Sequence, residues 1–439
     1  MKFTKPDLQL LILCICALVL LATSGARVIH SSNDFVPVYT GARCLLHGCN
    51  PYDPSQLEQQ FFAAGGHPHE LPSWDIDMPV YPPSTFLALA PLALLQFPVA
   101  RWAWFLLTGL LLVISAGLIL SVCPPQYRWL STTLVAFILL TAGILLVLGQ
   151  PGVFAISLII MGCCLFLRGR LLPLAALLLL LSLAVKPQIG GFIVLYLVVR
   201  GIHWRYAAVA LAGAGALLLC GSLMLDHQQK SADWRTTLRS NLTSTLSPGG
   251  SADPRPQNFQ SIGDVNLQTL SSIFVTDARK YNALAYAGFL LLMAIGVVAM
   301  VRAPRDPDAH FLALAVLSIL TLMPVYHRFY DTRLLLLSIP AVIIIFKKRR
   351  LLGFLLVLLT VLATVSVQYR IQMFLVQHGK WQSIIANKFL LILLLRQQNL
   401  ELLLLYCLYL VAIFSLRFQQ ETVVKPDPIA EAAVPLQAR

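Results

Sequence analysis

Charge is what this chain has least of. Of its 439 residues only 19 are Asp or Glu, and Asp, Glu, Lys and Arg together make up 12%. Soluble domains carry about 25%, and half that amount cannot build a water-facing surface. A large soluble α-helical domain is therefore excluded. The chain also has no Walker A glycine loop, no Rossmann fingerprint and no zincin motif. This argues against nucleotide-driven transport and against a cytoplasmic nucleotide-sugar domain. No internal repeat is visible.

What the chain has instead is long apolar runs. It is 58% hydrophobic, with a mean hydropathy of +0.77. A bilayer crossing takes about 20 apolar residues. Spans are expected at 8–26, 101–121, 129–148, 152–167, 171–185, 188–201, 206–225, 281–301, 309–325, 333–346, 351–367 and 400–416. The first run begins with basic residues, like a signal peptide, but no small-residue cleavage site follows, so a retained helix is expected. The fold class is all-α, a polytopic membrane protein of about 12 spans.

The net charge of +13 is not a nucleic-acid signature. Basic residues sit in short clusters between apolar runs: Lys2 and Lys5, Arg168 and Arg170, Arg200 and Arg205, Arg302 and Arg305, Lys347 to Arg350. That is the positive-inside pattern of cytoplasmic loops. If the brief apolar run 84–97 does not cross, every one of these clusters falls inside. One integral-membrane domain over 1–417 is then expected, with extracytoplasmic loops at 27–100 and 226–280 and a disordered cytoplasmic tail at 418–439. No nucleic-acid partner is expected; membrane lipids are.

This topology gathers the polar residues that interrupt the apolar pattern on the outer face. Asp34 follows the first span, and Asp53, Asp75 and Asp77 share its loop. Gln150, Lys186, Gln188, Asn258, Gln260 and the run His327-Arg328-Phe329-Tyr330-Asp331 lie there too. Acid beside a bilayer is tolerated where water, a cation or a substrate compensates it. A carboxylate partly withdrawn from water is a better proton acceptor, suited to a sugar hydroxyl attacking an anomeric carbon. A phosphate leaving group spares the second carboxylate that glycoside hydrolysis needs, but it calls for cations. Lys186, Arg328 and Arg333 are the candidates, Arg by bidentate hydrogen bonds and Lys as a point charge. Each also has a plainer reading: Asp34 as a helix-end acid, Lys186 as a snorkelling cation, Arg328 and Arg333 as interfacial ion-pair partners of Asp331. Gln150, Asn258 and Gln260 suit sugar hydroxyls, or equally helix capping. Tyr52 and Tyr81 suit stacking on a sugar face or anchoring at the interface.

Cys44 and Cys49 flank His47 in a polar loop and leave two readings open. One is a disulfide on an oxidising face. The other is a metal site with His67 and His69, whose spacing matches no zinc motif. No metal or other cofactor is called for.

In order along the chain, Asn33-Asp34-Phe35, Tyr39 and Gly41, Gly48-Cys49-Asn50-Pro51-Tyr52-Asp53, Tyr81-Pro82-Pro83 and Pro91-Leu92-Ala93 resemble glycosyltransferase family 87. So do Gly149-Gln150, Lys186-Pro187-Gln188, Asn258-Phe259-Gln260-Ser261 and the run from His327 to Asp331. The resemblance covers roughly residues 25–345. It implies the C-type glycosyltransferase fold and transfer with inversion of a hexose, first of all mannose, from a polyprenyl-phosphate sugar. The acceptor would be a lipid-linked or cell-envelope glycan, and the setting the bacterial inner membrane. Asp34 would be the base, and His327 would help at the donor phosphate. Asn33, Asn50, Tyr52, Asp53, Tyr81, Gln150, Gln188, Asn258, Gln260, Tyr330 and Asp331 would line the sugar and acceptor sites. The insert 54–78 and the Cys44–Cys49 pair depart from the pattern. The competing reading is a flippase of lipid-linked sugars, which needs polar residues along the middles of several helices; Leu171 to Leu183 and Leu351 to Val367 are nearly bare of them.

Overall fold

A computed structural model describes residues 5–28, 31–70, 79–228, 233–303, 306–365 and 367–423. Lys2, Asp75, Asp77, Arg305 and the tail beyond 423 lie outside these residues, as does the side chain of His69.

The described residues form helices α1 (Lys5–Val28), α2 (Val36–His47), α3 (Pro54–Ala63), α4 (Pro83–Ala93), α5 (Phe97–Val122), α6 (Arg128–Leu140) and α7 (Gly143–Leu148). Helices α8 (Pro151–Leu167), α9 (Leu172–Val185), α10 (Pro187–Val199), α11 (Trp204–His227), α12 (Trp234–Leu246), α13 (Leu267–Phe274) and α14 (Ala278–Arg302) follow. The chain ends with α15 (Pro307–Leu320), α16 (Ile339–Lys348), α17 (Arg350–Thr364), α18 (Val367–Gln377), α19 (Trp381–Ala386), α20 (Lys388–Leu395) and α21 (Gln397–Val423). No strand is present among the described residues; Asp264 and Arg328 share an isolated antiparallel bridge. The chain is an all-α, multi-pass membrane protein.

Seven helical stretches among these residues are long and apolar enough to cross a membrane. Each of the twelve expected spans falls on a helix: seven on those long stretches, one on α17 with the bent α18, and four on the short apolar helices α8, α9, α10 and α15. The run 84–97 holds α4, whose 11 residues extend about 16 Å, roughly half the hydrocarbon thickness. Arg43 Nη1 donates to the Ala93 carbonyl and Tyr39 Oη to that of Leu95, so α2 closes the end of α4. Ser84 Oγ at its start donates to the Ala184 carbonyl at the end of α9.

Proline sets the breaks. Pro187 opens α10 where a missing N–H costs nothing, and it keeps Lys186 out of the helical conformation, at φ −147°. The end of α9 therefore turns the Lys186 side chain into the protein. Gln150 caps α8, and Asp277, Asp306 and Asn266 cap α14, α15 and α13. Helix α8 separates Gln150 from Arg168 by 17 residues, about 25 Å. At that far end Arg168 donates to Ser121, Arg200 to the Ala303 carbonyl, and Lys348 pairs with Asp308. The basic helix ends thus gather opposite the Gln150 end.

Candidate active site

The turn that carries Asp34 is fastened to the turn between α7 and α8. The Asp34 N–H donates to the Leu148 carbonyl at 3.0 Å. Phe35 stacks on Trp104 with ring centroids 5.4 Å apart, a contact worth about 0.5–1.5 kcal/mol beyond its burial. Trp104 Nε1 in turn donates to the Gly149 carbonyl at 2.8 Å. Gly149 is left-handed at φ +68°, and a Cβ there would sit 2.6 Å from the Phe35 Cβ, so glycine is required twice over. The result aims Gln150 at Asp34: Nε2 donates to Oδ2 at 2.7 Å, while Oε1 caps the Gly152 N–H.

One helical step further, Gly152 opens onto a buried charge cluster. A Cβ at Gly152 would meet Asp331 Oδ1 at 2.7 Å, Lys186 Nζ at 3.3 Å and Gln150 Cγ at 3.7 Å. Lys186 Nζ donates to both Asp331 oxygens, at 2.8 and 2.7 Å. His327 Nδ1 lies 2.9 Å from Asp331 Oδ2, and the Arg328 N–H donates to the same oxygen at 3.3 Å. Lys186 Nζ lies 5.8 Å from the centre of the Tyr330 ring. His327 is fully buried, and burial pushes its imidazole below its ordinary value against the pull of Asp331. His327 therefore braces Asp331, and Asp331 holds Lys186.

Arg328 completes the group. Its Nε donates to the Tyr326 hydroxyl, its Nη2 to the Ser251 carbonyl at 3.4 Å, and its Nε lies 4.0 Å from Asp264 Oδ1. Asp34 lies within electrostatic reach of the phenols of Tyr326, Tyr330 and Tyr369. The carboxylates of Asp34 and Asp331, one lysine and one arginine thus share a site at the start of α8, a disposition suited to an alcohol, an electrophilic carbon and an anionic leaving group.

The family model of glycosyltransferase family 87 matches residues 80–326, more than half of the chain. The chain belongs to glycosyltransferase family 87. No curated protein matches it, and neither does any solved structure. The matched stretch includes Gln150, Lys186, Gln188, Asn258 and Gln260; Asp34 and the run 327–331 lie outside it.

Other expected site residues of this glycosyltransferase build its frame. Arg333 is buried and donates to the carbonyls of Thr364 and Thr141, tying the ends of α17 and α6 together, so it is not brought to the group around Lys186. Asn50 Nδ2 donates to Asp233 and Thr237 of the α12 start. Tyr52 is buried, with its hydroxyl on the Tyr81 carbonyl. Asp53 caps α3 through the Ser55 N–H. Asn258 Nδ2 donates to the carbonyls of Gly250 and Asp253, while Gln260 is exposed, and Asn33 and Gln188 are half-buried. Cys44 and Cys49 form a disulfide. Asn241 is buried, donating to the Tyr52 and Pro79 carbonyls. Among the described residues no three His, Cys, Asp or Glu side chains gather as a metal site. A cavity of about 230 Å³ lies at the opposite end of α8, lined by Ser121, Val122, Leu167, Arg168, His310 and Phe311, none of them among the expected site residues. Tyr326, Gly152 and Asp264 were not singled out in the sequence. Tyr326 adjoins the 327–331 run, a signal that could have found it; Gly152 and Asp264 carry none.

Proposed function

We propose that the protein moves a hexose, mannose before others, from a polyprenyl-phosphate sugar to a lipid-linked or cell-envelope glycan. The observation that carries this reading is that Gln150 holds Asp34 with one end of its amide and caps Gly152 with the other, and Gly152 faces the Lys186–Asp331 pair. Asp34 takes the proton of the acceptor hydroxyl as its oxygen bonds to the anomeric carbon. The bond from that carbon to the phosphate oxygen breaks on the opposite side, and the configuration inverts. Lys186 and Arg328 meet the charge that gathers on the departing phosphate. His327 and Asp331 fix Lys186, and Gln150 fixes Asp34, so that little reorganisation is left for the reaction itself. Tyr330 borders the same space.

The same reading places the site on the extracytoplasmic face of a bacterial inner membrane, with twelve crossings in a C-type glycosyltransferase fold and α4 as an interfacial or re-entrant helix. The clustered basic ends opposite Gln150 support it, as does the Cys44–Cys49 disulfide of the first loop. Membership of a transferase family favours transfer over transport. The test is incubation of membranes bearing the protein with radiolabelled polyprenyl-phosphate mannose. Label appearing in a lipid or envelope glycan, with inverted linkage, is the expected result. Label that stays on the carrier, alongside transfer from a nucleotide sugar, would refute it.

A further inference from the structure

Asp264 is a buried carboxylate with its backbone locked and no hydrogen bond to its side chain from the described residues. Its N–H donates to the Ser261 carbonyl, its carbonyl accepts from Asn399 Nδ2, and Val265 N–H donates to the His327 carbonyl at 2.7 Å. The bridge to Arg328 sets the two residues side by side. Yet Asp264 is 1% exposed, and neither of its carboxylate oxygens accepts a hydrogen bond from any described residue. Its near cation, Arg328, stands 4.0 Å away with Nε committed to the Tyr326 hydroxyl. A second arginine, Arg396, gives its Nη donors to Ser261 and the Pro254 carbonyl, and none of its N–H groups bonds the Asp264 carboxylate. An ionised carboxylate held this way depends on charge compensation alone.

Resting on the reading above, in which Arg328 meets the donor's phosphate, we propose that Asp264 is the resident counter-ion of Arg328, and that the phosphate displaces it and leaves it protonated. Arginine grips phosphate through two parallel hydrogen bonds, which Asp264 does not offer it. Once the guanidinium faces the phosphate, an ionised Asp264 would be left buried beside a second anion. It takes one proton from bulk water onto an Oδ atom; no donor bond breaks in this step. When the polyprenyl phosphate departs, Arg328 returns to Asp264 and the proton is released.

The groups facing Asp264 are Arg328 and Tyr326 from its bridged segment, Tyr369 from α18, Arg396 from the turn before α21, and Asp253 from its own loop. Arginines and tyrosines hold their protons through neutrality, and Arg255 and the Gly249 N–H keep Asp253 ionised against its burial. Asp264 is different: burial pushes its carboxyl up to about 7, against the attraction of Arg328 and Arg396. A positioning residue with that value makes donor affinity fall as pH rises through neutrality, because the donor-bound form needs the proton.

The experiment is calorimetric titration of the full-length protein in detergent with short-chain polyprenyl-phosphate mannose. Its phosphodiester carries one fixed charge. Titrations run at about pH 6 and about pH 8, in buffers of different ionisation heat, with sugar transfer measured in parallel. The wild type is expected to take up about one proton per donor at the higher pH and to bind roughly tenfold more weakly there than at the lower. Asp264→Asn is expected to take up none and to bind equally at both. Should Asp264→Asn not fold, Arg328→Gln gives a second reading: its proton uptake should also vanish, because an Asp264 without its cation is already protonated. Proton uptake that persists in either variant, or is absent from the wild type, overturns the proposal, as does a wild type that does not bind the donor. Binding with uptake but without transfer would sink the proposed reaction and leave the counter-ion exchange standing. Transfer without uptake would do the reverse.

Discussion

A single methyl group at Gly152 tests whether the start of α8 is the reacting centre. Within a helix, Gly→Ala is ordinarily favourable by up to about 1 kcal/mol. Here the new Cβ would lie 2.7 Å from Asp331 Oδ1 and 3.3 Å from Lys186 Nζ. The carboxylate has to retreat by several tenths of an ångström. It is pinned by Lys186 at 2.7 and 2.8 Å, by His327 at 2.9 Å and by the Arg328 N–H at 3.3 Å. Losing one partner of a buried charge pair outright costs about 3–5 kcal/mol. Stretching the pair costs a fraction of that, and the helix gain offsets part of the fraction. The net destabilisation is about 1–2 kcal/mol. The effect on rate is larger, because a displacement of about 1 Å at a positioned group costs on the order of 100-fold. Gly152→Ala is thus expected to unfold slightly earlier on heating in detergent and to transfer sugar roughly 10- to 100-fold more slowly. Gly191→Ala in α10, where a Cβ meets nothing within 4 Å, is the control and should retain activity. Wild-type turnover by Gly152→Ala would refute the placement of the site.

Glu70 tests the frame of the first loop. Burial opposes its ionisation, but the His67 N–H and Arg101 outweigh it and hold its carboxyl below the ordinary value. A depressed value stabilises the fold above the unfolded value near 4.3 and is lost as pH falls through the folded one. Glu70→Gln should therefore cost about 1.5–3 kcal/mol at neutral pH and progressively less in acid; thermal unfolding that shifts equally at both would contradict this. A cysteine placed at Arg349, between α16 and α17, should react with an impermeant maleimide only after cells are permeabilised, and labelling of intact cells would invert the topology. Thiol titration of the denatured, unreduced protein should find seven free cysteines beside the Cys44–Cys49 disulfide, with nine counting against that bond.

Hydrophobic runs and their breaks carried most of the fold, because a bilayer leaves a chain few ways to satisfy its backbone. Twelve apolar segments were visible, and each is helical. Short helices such as α9 and α10 were legible because Lys186-Pro187 breaks an otherwise continuous run. Asp34, Gln150, Lys186, His327 and Asp331 stood out as polar residues at the ends of apolar runs, and the structure brings them together. Residues chosen inside already polar loops fared differently. Asn50, Asp53 and Asn258 cap helices and turns, work that suits the same amide and carboxylate groups as sugar binding. Arg333 looked like a phosphate ligand beside Asp331, but the 3₁₀ turn of Phe329–Ser338 points it to the ends of α6 and α17. Asp264 was invisible because one acid in a polar loop breaks no pattern; only its burial without a hydrogen bond marks it.

The central claim is that Asp34 removes the acceptor proton. Purified Asp34→Asn keeps the shape of the side chain and can still meet Gln150, so its measured rate of sugar transfer from labelled polyprenyl-phosphate mannose is the most direct test. Transfer is expected to fall by about 10²–10⁴-fold, while donor affinity stays within a few-fold of wild type. Transfer near the wild-type rate would contradict the account.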